Sequence, residues 1–204
     1  MKDPHHPEIR DPAIAQHRKP DHPIHPLILN RWSPRSMSGE HLAQEEILSL
    51  FEAARWAPSS YNNQPWKFLY AKRDTAHWKT FFDLLVDFNK QWCQKAALLG
   101  LIVSHKIFER NNKPSPTHSL DAGAAWENLA LEGTSRGLVV HGMEGFDYSK
   151  ARKDLNIPES YEVLAMFAVG KRAPKEDLPE EMRVKETPAS RKKIAEFALE
   201  GKFK

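Results

Sequence analysis

The chain has 204 residues, 40% hydrophobic and 28% charged, which is the composition of a globular chain of single-domain size and excludes a disordered one. Thirty basic against 27 acidic residues give a net charge of +3, too even to call for nucleic acid or a membrane surface as partner, and no apolar run approaches the ~18 residues of a membrane span. One cysteine, Cys93, excludes an internal disulfide and a cysteine zinc cage; with no secretory apolar stretch in MKDPHHPEIR, this points to a reducing, cytoplasmic setting.

Residues 1–27 form a Pro- and His-rich arm, in which Pro4, Pro7, Pro12, Pro20, Pro23 and Pro26 prevent a long helix. The arm also holds His5, His6, His17, His22 and His25, so a metal site is one reading. Enrichment alone gives no ligand geometry, and the expectation is an extended arm lying on the body or on a second subunit, with no metal. Ser38 is the expected N-cap of a helix over 41–57, with Glu40 in its first turn and Leu42, Ile47, Leu50, Phe51 and Ala54 on one stripe. Pro58 stops that helix.

Strands are expected at Trp66–Ala71, Leu98–Ser104, Leu138–His141 and Glu162–Gly170, and helices over 75–95 and 119–136, the latter closed by Gly137. The last thirty residues are polar and basic, and core positions are expected there only at Ile194, Phe197 and Leu199. No internal repeat occurs. Helices and strands mix without regular alternation, which favours an α+β layout over a doubly wound parallel sheet. The small residues Ala122, Gly123, Ala125, Ala130 and Gly133 on the long helix suit a dimer seam and equally a tight intramolecular core.

Gly133-Thr134-Ser135-Arg136-Gly137 matches G-x-S-x-G, but a helix precedes this serine and a strand follows, the reverse of a nucleophile elbow. Neither G-x-G-x-x-G nor a Walker loop occurs, so a bound phosphate would need side chains to hold it.

Three features remain. In Arg31-x-Ser33-x-Arg35 an extended backbone puts two guanidiniums and a hydroxyl on one side, suited to a phosphate or a heteroaromatic edge, or else simply a solvated basic turn. Pro58-Ser59-Ser60-Tyr61-Asn62-Asn63-Gln64-Pro65 is a stiff loop dense in amide groups that complement a pyrimidine edge, or an ordinary capping loop. His141-Gly142-Met143-Glu144-Gly145-Phe146 follows a strand and lets backbone N–H groups approach a ligand.

Together RWSPR, EAARWAPSSYNNQPWKF and DAGAAWENLALEGTSRGL leading into HGMEGF resemble the nitroreductase family, over about Asn30 to Arg191. The resemblance implies an α+β fold with a central, mostly antiparallel sheet flanked by helices, and an FMN-binding domain over 28–204. It also implies a homodimer in which a C-terminal strand is exchanged and FMN lies in clefts made by both subunits. It implies Arg31 and Arg191 on the FMN phosphate, with Lys192 or Lys193 as substitutes for the second, and Ser33 as a next contact. Arg35 is directed toward the flavin pyrimidine side, and Pro58, Ser59 and Ser60 line the ring. Asn62 and Gln64 lie at the pyrimidine edge, and the Glu144 and Gly145 backbone near N5. The short linker from Ile107 to His118 leaves little material for a lid. Trp92, Phe88, Phe108 and Phe146 are candidates to line the pocket, each equally suited to the core.

The expected activity is hydride transfer from NAD(P)H through FMN to a small conjugated acceptor, a nitroaromatic or quinone, in ping-pong order and with no obligatory side-chain acid or base. A dehalogenase or a reductase of enals or semialdehydes on the same scaffold is the alternative enzyme. A non-catalytic flavin- or metal-binding protein is the alternative from another class.

Overall fold

The computed structural model describes residues 12–203; Pro4, His5, His6 and Pro7 of the arm lie outside the described residues. Four strands, β1 (Trp66–Lys72), β2 (Leu98–His105), β3 (Leu138–Met143) and β4 (Tyr161–Lys171), form one sheet in the order β1-β2-β4-β3. All three pairings are antiparallel. The apolar run LLGLIVS reads as a strand covered on both faces, and every residue from Leu98 to Ser104 is buried.

Side-chain alternation divides the core into two layers. Leu98, Ile102, Val140, Phe167 and Val169 pack toward α3 (Gln44–Arg55) and α6 (His118–Ser135), which meet Ile47, Leu50, Ala125 and Leu129 in that layer. Leu99, Leu101, Val103, Val139, Met143 and Met166 face the other layer, filled by Met37, Leu84, Trp92 and Met182. Small residues on α6 serve the intramolecular seam: Ala122, Ala125, Ala130 and Gly133 are buried. At Gly133 an added Cβ would lie 2.3 Å from Val140 Cγ2, so helix and sheet meet at a separation only glycine permits. Gly123 alone of the five is exposed. Gly137, at φ +74°, turns the chain out of α6 into β3. Ser135 Oγ donates to Glu132 O at 2.8 Å, a helix-end bond within α6.

Four expectations are corrected. Ser38 does not cap α3: its hydroxyl accepts from Glu40 N–H at 3.2 Å, and Gly39 turns the chain at φ +81°. The helix begins after Ala43, whose N–H donates to the Glu46 carboxylate at 2.8 Å. The 75–95 stretch is two short helices, α4 (Trp78–Phe82) and α5 (Asp87–Cys93), because Leu85 leaves helical geometry to bridge Phe146. The described part of the arm is not extended throughout: it holds α1 (Pro12–His17) and runs into α2 (Pro26–Asn30), with residues 18–25 outside any helix and Ile14 3% exposed. In the last thirty residues the core positions are Leu178 and Met182, the latter on α8 (Glu180–Arg183), whereas Ile194, Phe197 and Leu199 are exposed. A helix the sequence reading missed, α7 (Tyr148–Asp154), starts where the Asp147 carboxylate accepts from Lys150 N–H at 2.8 Å.

Candidate functional site

The segment after α2 carries the first group of candidate residues. Arg31, Ser33 and Arg35 are partly exposed, while Pro34 and Ser36, between and after them, are buried. Ser38 N–H donates to Lys171 O at 3.0 Å and Ala173 N–H to Ser36 O at 3.2 Å, so the segment runs beside the end of β4. Ser36 Oγ donates to Pro174 O at 2.6 Å. His141 on β3 lies with Nδ1 2.9 Å from Pro34 O; a carbonyl only accepts, so Nδ1 carries the proton. Burial chiefly, with the charge of Arg35, holds this imidazole down to about 4, against the raising effect of its bond to Pro34. His141 is therefore neutral at physiological pH.

Two further side chains fix the segment from the chain ends. Glu186 accepts the N–H groups of Arg35 and Ser36 at 2.7 and 3.0 Å through Oε1, and its Oε2 lies 3.7 Å from Arg35 Nη1. Arg18 donates to Leu29 O and Arg31 O, both at 2.7 Å, and to Ala189 O at 3.3 Å. The Arg18 guanidinium is pushed down to about 10, first by burial and then by the charges of Arg191 and Arg31. Three arginines thus crowd one pole of the molecule. Arg31 Nε also meets Glu127 of α6 at 3.3 Å.

The second group is the turn after β3. Glu144 is exposed, and Gly145 O accepts from Val86 N–H at 3.2 Å and from the buried Asn89 carboxamide at 3.0 Å. A Cβ on Gly145 would sit 2.8 Å from Asn89 Nδ2, so glycine is needed for this approach. Asn89 Oδ1 in turn accepts from Trp92 Nε1 at 3.2 Å, and the Trp92 ring lies 4.6 Å from the His141 imidazole. A chain of buried contacts, Pro34–His141–Trp92–Asn89–Gly145, therefore joins the first group to the second. Beside Glu144 opens a mainly apolar cavity of about 320 Å³, with Gly123, Trp126, Gly142 and Leu164 in its walls.

The third group, Pro58–Gln64, stands apart. No hydrogen bond or ion pair among the described residues joins it to Arg31–Arg35 or to Glu144–Gly145. Tyr61, Asn62 and Gln64 adopt φ of +52°, +54° and +47°, a conformation costing non-glycine residues about 1 kcal/mol each. Local bonds offset that cost. Ser60 N–H donates to Asp121 at 3.1 Å, Gln64 N–H to Ser59 Oγ at 3.0 Å, and the Gln64 carboxamide to Asn62 Oδ1 at 3.2 Å. Asn63 accepts from Glu109 N–H at 3.1 Å, and the Arg110 guanidinium lies 3.9 Å above the Tyr61 ring. The loop is thus rigid and already shaped, with Pro58, Asn62 and Gln64 exposed and Ser59 and Ser60 half-buried.

Among the aromatic candidates, Trp92, Phe108 and Phe146 are core residues, and only Phe88 is exposed, with Arg35 5.9 Å from its ring centre. Sequence reasoning missed Arg18, Glu186, Asn89 and Glu127 altogether, and read His141 as the end of a strand and the start of the HGMEGF motif with no role for its side chain. Arg18 sits in an arm without pattern and Glu186 in a polar stretch, so neither carries a local signal. Among the described residues no group of three His, Cys, Asp or Glu side chains is placed to hold a metal ion, and no helix is long and apolar enough to cross a membrane.

The fold and these groups define an α+β protein with a cationic pole, a glycine turn beside an apolar cavity, and a preformed amide-rich loop, suited to a flat ligand with an anionic end. The chain belongs to the nitroreductase family, whose model matches two overlapping stretches, residues 28–97 and 76–171. Protein DrgA of Synechocystis sp. is 30% identical over 188 residues, covering 76% of this chain and 86% of that protein. An Archaeoglobus fulgidus protein, provisionally named NADH dehydrogenase/NAD(P)H nitroreductase, is 28% identical over 150 residues, 71% of this chain and 82% of its own. A crystal structure of an oxidoreductase containing FMN superposes with a TM-score of 0.88 at 39% identity, over 92% of this chain and 96% of the other.

Proposed function

We propose that this chain is an FMN-dependent oxidoreductase that passes hydride from NAD(P)H to a small conjugated acceptor, a nitroaromatic or quinone, as a homodimer in the cytoplasm. The observation that carries the reading is the tie through Arg18, which donates to Arg31 O at 2.7 Å and to Ala189 O at 3.3 Å and so brings the segments of Arg31 and Arg191 to one place. Guanidiniums gathered in this way suit a phosphomonoester dianion, in addition to the Glu127 carboxylate that meets Arg31 at 3.3 Å. The neighbouring family members named for NAD(P)H activity and for FMN content support the same cofactors.

FMN, when bound, supplies acceptance and donation of hydride at N5, chemistry that no side chain of this chain provides. Arg31 and Arg191 would hold its phosphate, with Ser33 beside them. Arg35 would stand at the pyrimidine side, where a cation stabilises the negative charge that reduction develops. Its direction is set by Glu186, behind it. The Glu144–Gly145 backbone would face N5, held still by Val86 and Asn89. Because a bound flavin would hold the two electrons between half-reactions, NAD(P)H and acceptor would use one pocket in turn, a ping-pong order, with no side chain needed as acid or base.

The homodimer is supported by three features. β1 is an edge strand, open for pairing on one side. Beyond Pro188 every described residue is exposed, including the apolar side chains of Ile194, Phe197 and Phe203. The tail is the candidate for the exchanged strand. The Pro58–Gln64 loop, detached from the other two groups within one chain, would serve the flavin of the neighbouring subunit. Cys93, free and buried, fits a reducing compartment.

The test is the absorption spectrum of the purified protein, release and identification of its chromophore, and anaerobic titration with NADH and NADPH. The expected result is a yellow protein that bleaches with a reduced nicotinamide and recovers on adding a nitroaromatic or quinone. A colourless protein that refuses added FMN would overturn the reading.

A further inference from the structure

Two segments from opposite ends of the chain must meet for Arg31 and Arg191 to share one ligand. The side chain that joins them is Arg18. Its Nη1 donates to Leu29 O and Arg31 O, both at 2.7 Å, and its Nε to Ala189 O at 3.3 Å. One planar guanidinium therefore grips the backbone just before and at Arg31 and, with its other edge, the backbone two residues before Arg191. Its own position is fixed: Ile14 is buried, and Arg18 N–H donates to Ile14 O at 2.8 Å, the last bond of the helical turn. From Ala189 onward every described residue is exposed, and the bonds of Arg18 to Ala189 O and of Glu186 to Arg35 N–H are the ties that hold the chain leading into Arg191.

We propose that Arg18 is the positioning residue of the cationic pole: by tying the Leu29 and Arg31 carbonyls to that of Ala189 it presets the separation of Arg31 and Arg191, and so selects phosphorylated FMN over unphosphorylated riboflavin. This rests on the FMN reading above for the identity of the ligand. Lysine cannot replace arginine here, because an ammonium is a point charge without a rigid fork for carbonyls on two segments. The arrangement also holds a third cation near two others: burial is the first cause that lowers the Arg18 pKa, and the charges of Arg191 and Arg31 lower it further. A phosphate anion bound between these guanidiniums would offset their mutual repulsion.

The experiment compares flavin-free wild type, Arg18→Lys and Arg18→Ala. FMN and riboflavin affinities are read by flavin fluorescence, and the midpoint of thermal unfolding is read with and without inorganic phosphate. In both variants FMN affinity is expected to fall by about tenfold to a hundredfold, the range of charge-assisted bonds to a phosphate, with riboflavin affinity unchanged. The rise in midpoint with phosphate is expected in wild type and lost in both variants. Full restoration by Arg18→Lys would overturn the proposal in favour of charge alone. Equal losses for FMN and riboflavin would overturn it in favour of general support of the fold, and unchanged FMN affinity would overturn it outright. If wild type binds neither flavin, the FMN reading falls, and the phosphate comparison still decides the role of Arg18: stabilisation in wild type alone upholds it, and its absence or its persistence in the variants overturns it.

Discussion

Glu186 and Arg35 come from opposite ends of the chain and share a buried contact in which one carboxylate serves two purposes. Its Oε1 accepts the Arg35 N–H at 2.7 Å, and its Oε2 lies 3.7 Å from the Arg35 guanidinium, with the Glu186 side chain wholly shielded from solvent. The backbone bond fixes where residue 35 runs, and the second oxygen attracts its guanidinium as an ion pair without a hydrogen bond. A cation at the candidate pyrimidine side is thus aimed from behind by an acid out of reach of solvent.

Glu186→Ala leaves the Arg35 and Ser36 N–H groups without their acceptor and is expected to lower unfolding free energy by about 2–4 kcal/mol in urea denaturation. Glu186→Gln keeps one carbonyl oxygen for those donors and should lose less stability, while losing the attraction on Arg35. An alanine variant as stable as wild type would show that the segment is held by other means.

His141 gives a pH dependence with a definite sign. Its folded pKa, lowered to about 4 by burial first and by Arg35, lies below the ordinary value of 6.5, so the folded state resists protonation that the unfolded chain accepts. Its contribution is whole above pH 6.5 and is lost as pH falls toward 4, a total of about 3 kcal/mol. His141→Asn, whose amide can still donate to Pro34 O, should flatten the stability profile across that window. Parallel profiles for the two proteins would refute the assignment.

Gly145→Ala would put a methyl group 2.8 Å from Asn89 Nδ2 and 3.0 Å from Val86 Cγ2. The expected cost is about 1–3 kcal/mol, with FMN occupancy reduced because the turn must move. Asn89→Ala removes a donor to Gly145 O and the acceptor of Trp92 Nε1, and should itself destabilise by about 1–3 kcal/mol. In the double variant the clash with Asn89 is gone, so the combined loss should be smaller than the sum. Strict additivity would mean that the two groups do not touch.

Phe197 leaves 66% of its surface exposed within its own chain. In a homodimer that uses this tail, Phe197→Asp is expected to weaken association by at least about tenfold, since burial of such a side chain contributes about 1.5–3 kcal/mol. Sedimentation velocity over a dilution series would read the change, and an unaltered dimer constant would remove this tail position from the interface.

What the sequence determined by itself was the placement of apolar faces. The run from Leu98 to Ser104 required a strand buried on both sides, and the stripe of Ile47, Leu50 and Ala54 required a helix laid on the sheet. RWSPR, PSSYNNQPW and HGMEGF also named the segments from which a site would be drawn, because residue types suited to a ligand sit at fixed spacing along the chain. Only the tertiary structure decided the boundaries and supports. Residues 75–95 carry helical composition but break at Leu85, whose partner is Phe146, and Ser38 lost its capping role to Glu46 once Gly39 turned the chain. Leu178 and Met182 reached the core while the more apolar tail did not, since burial depends on which surface the chain meets. Arg18, Asn89 and Glu186 had no signal to find. Each bonds to backbone N–H or C=O groups outside its own element, and those groups are the same at nearly every residue, so no pattern of side chains records where such a bond will form.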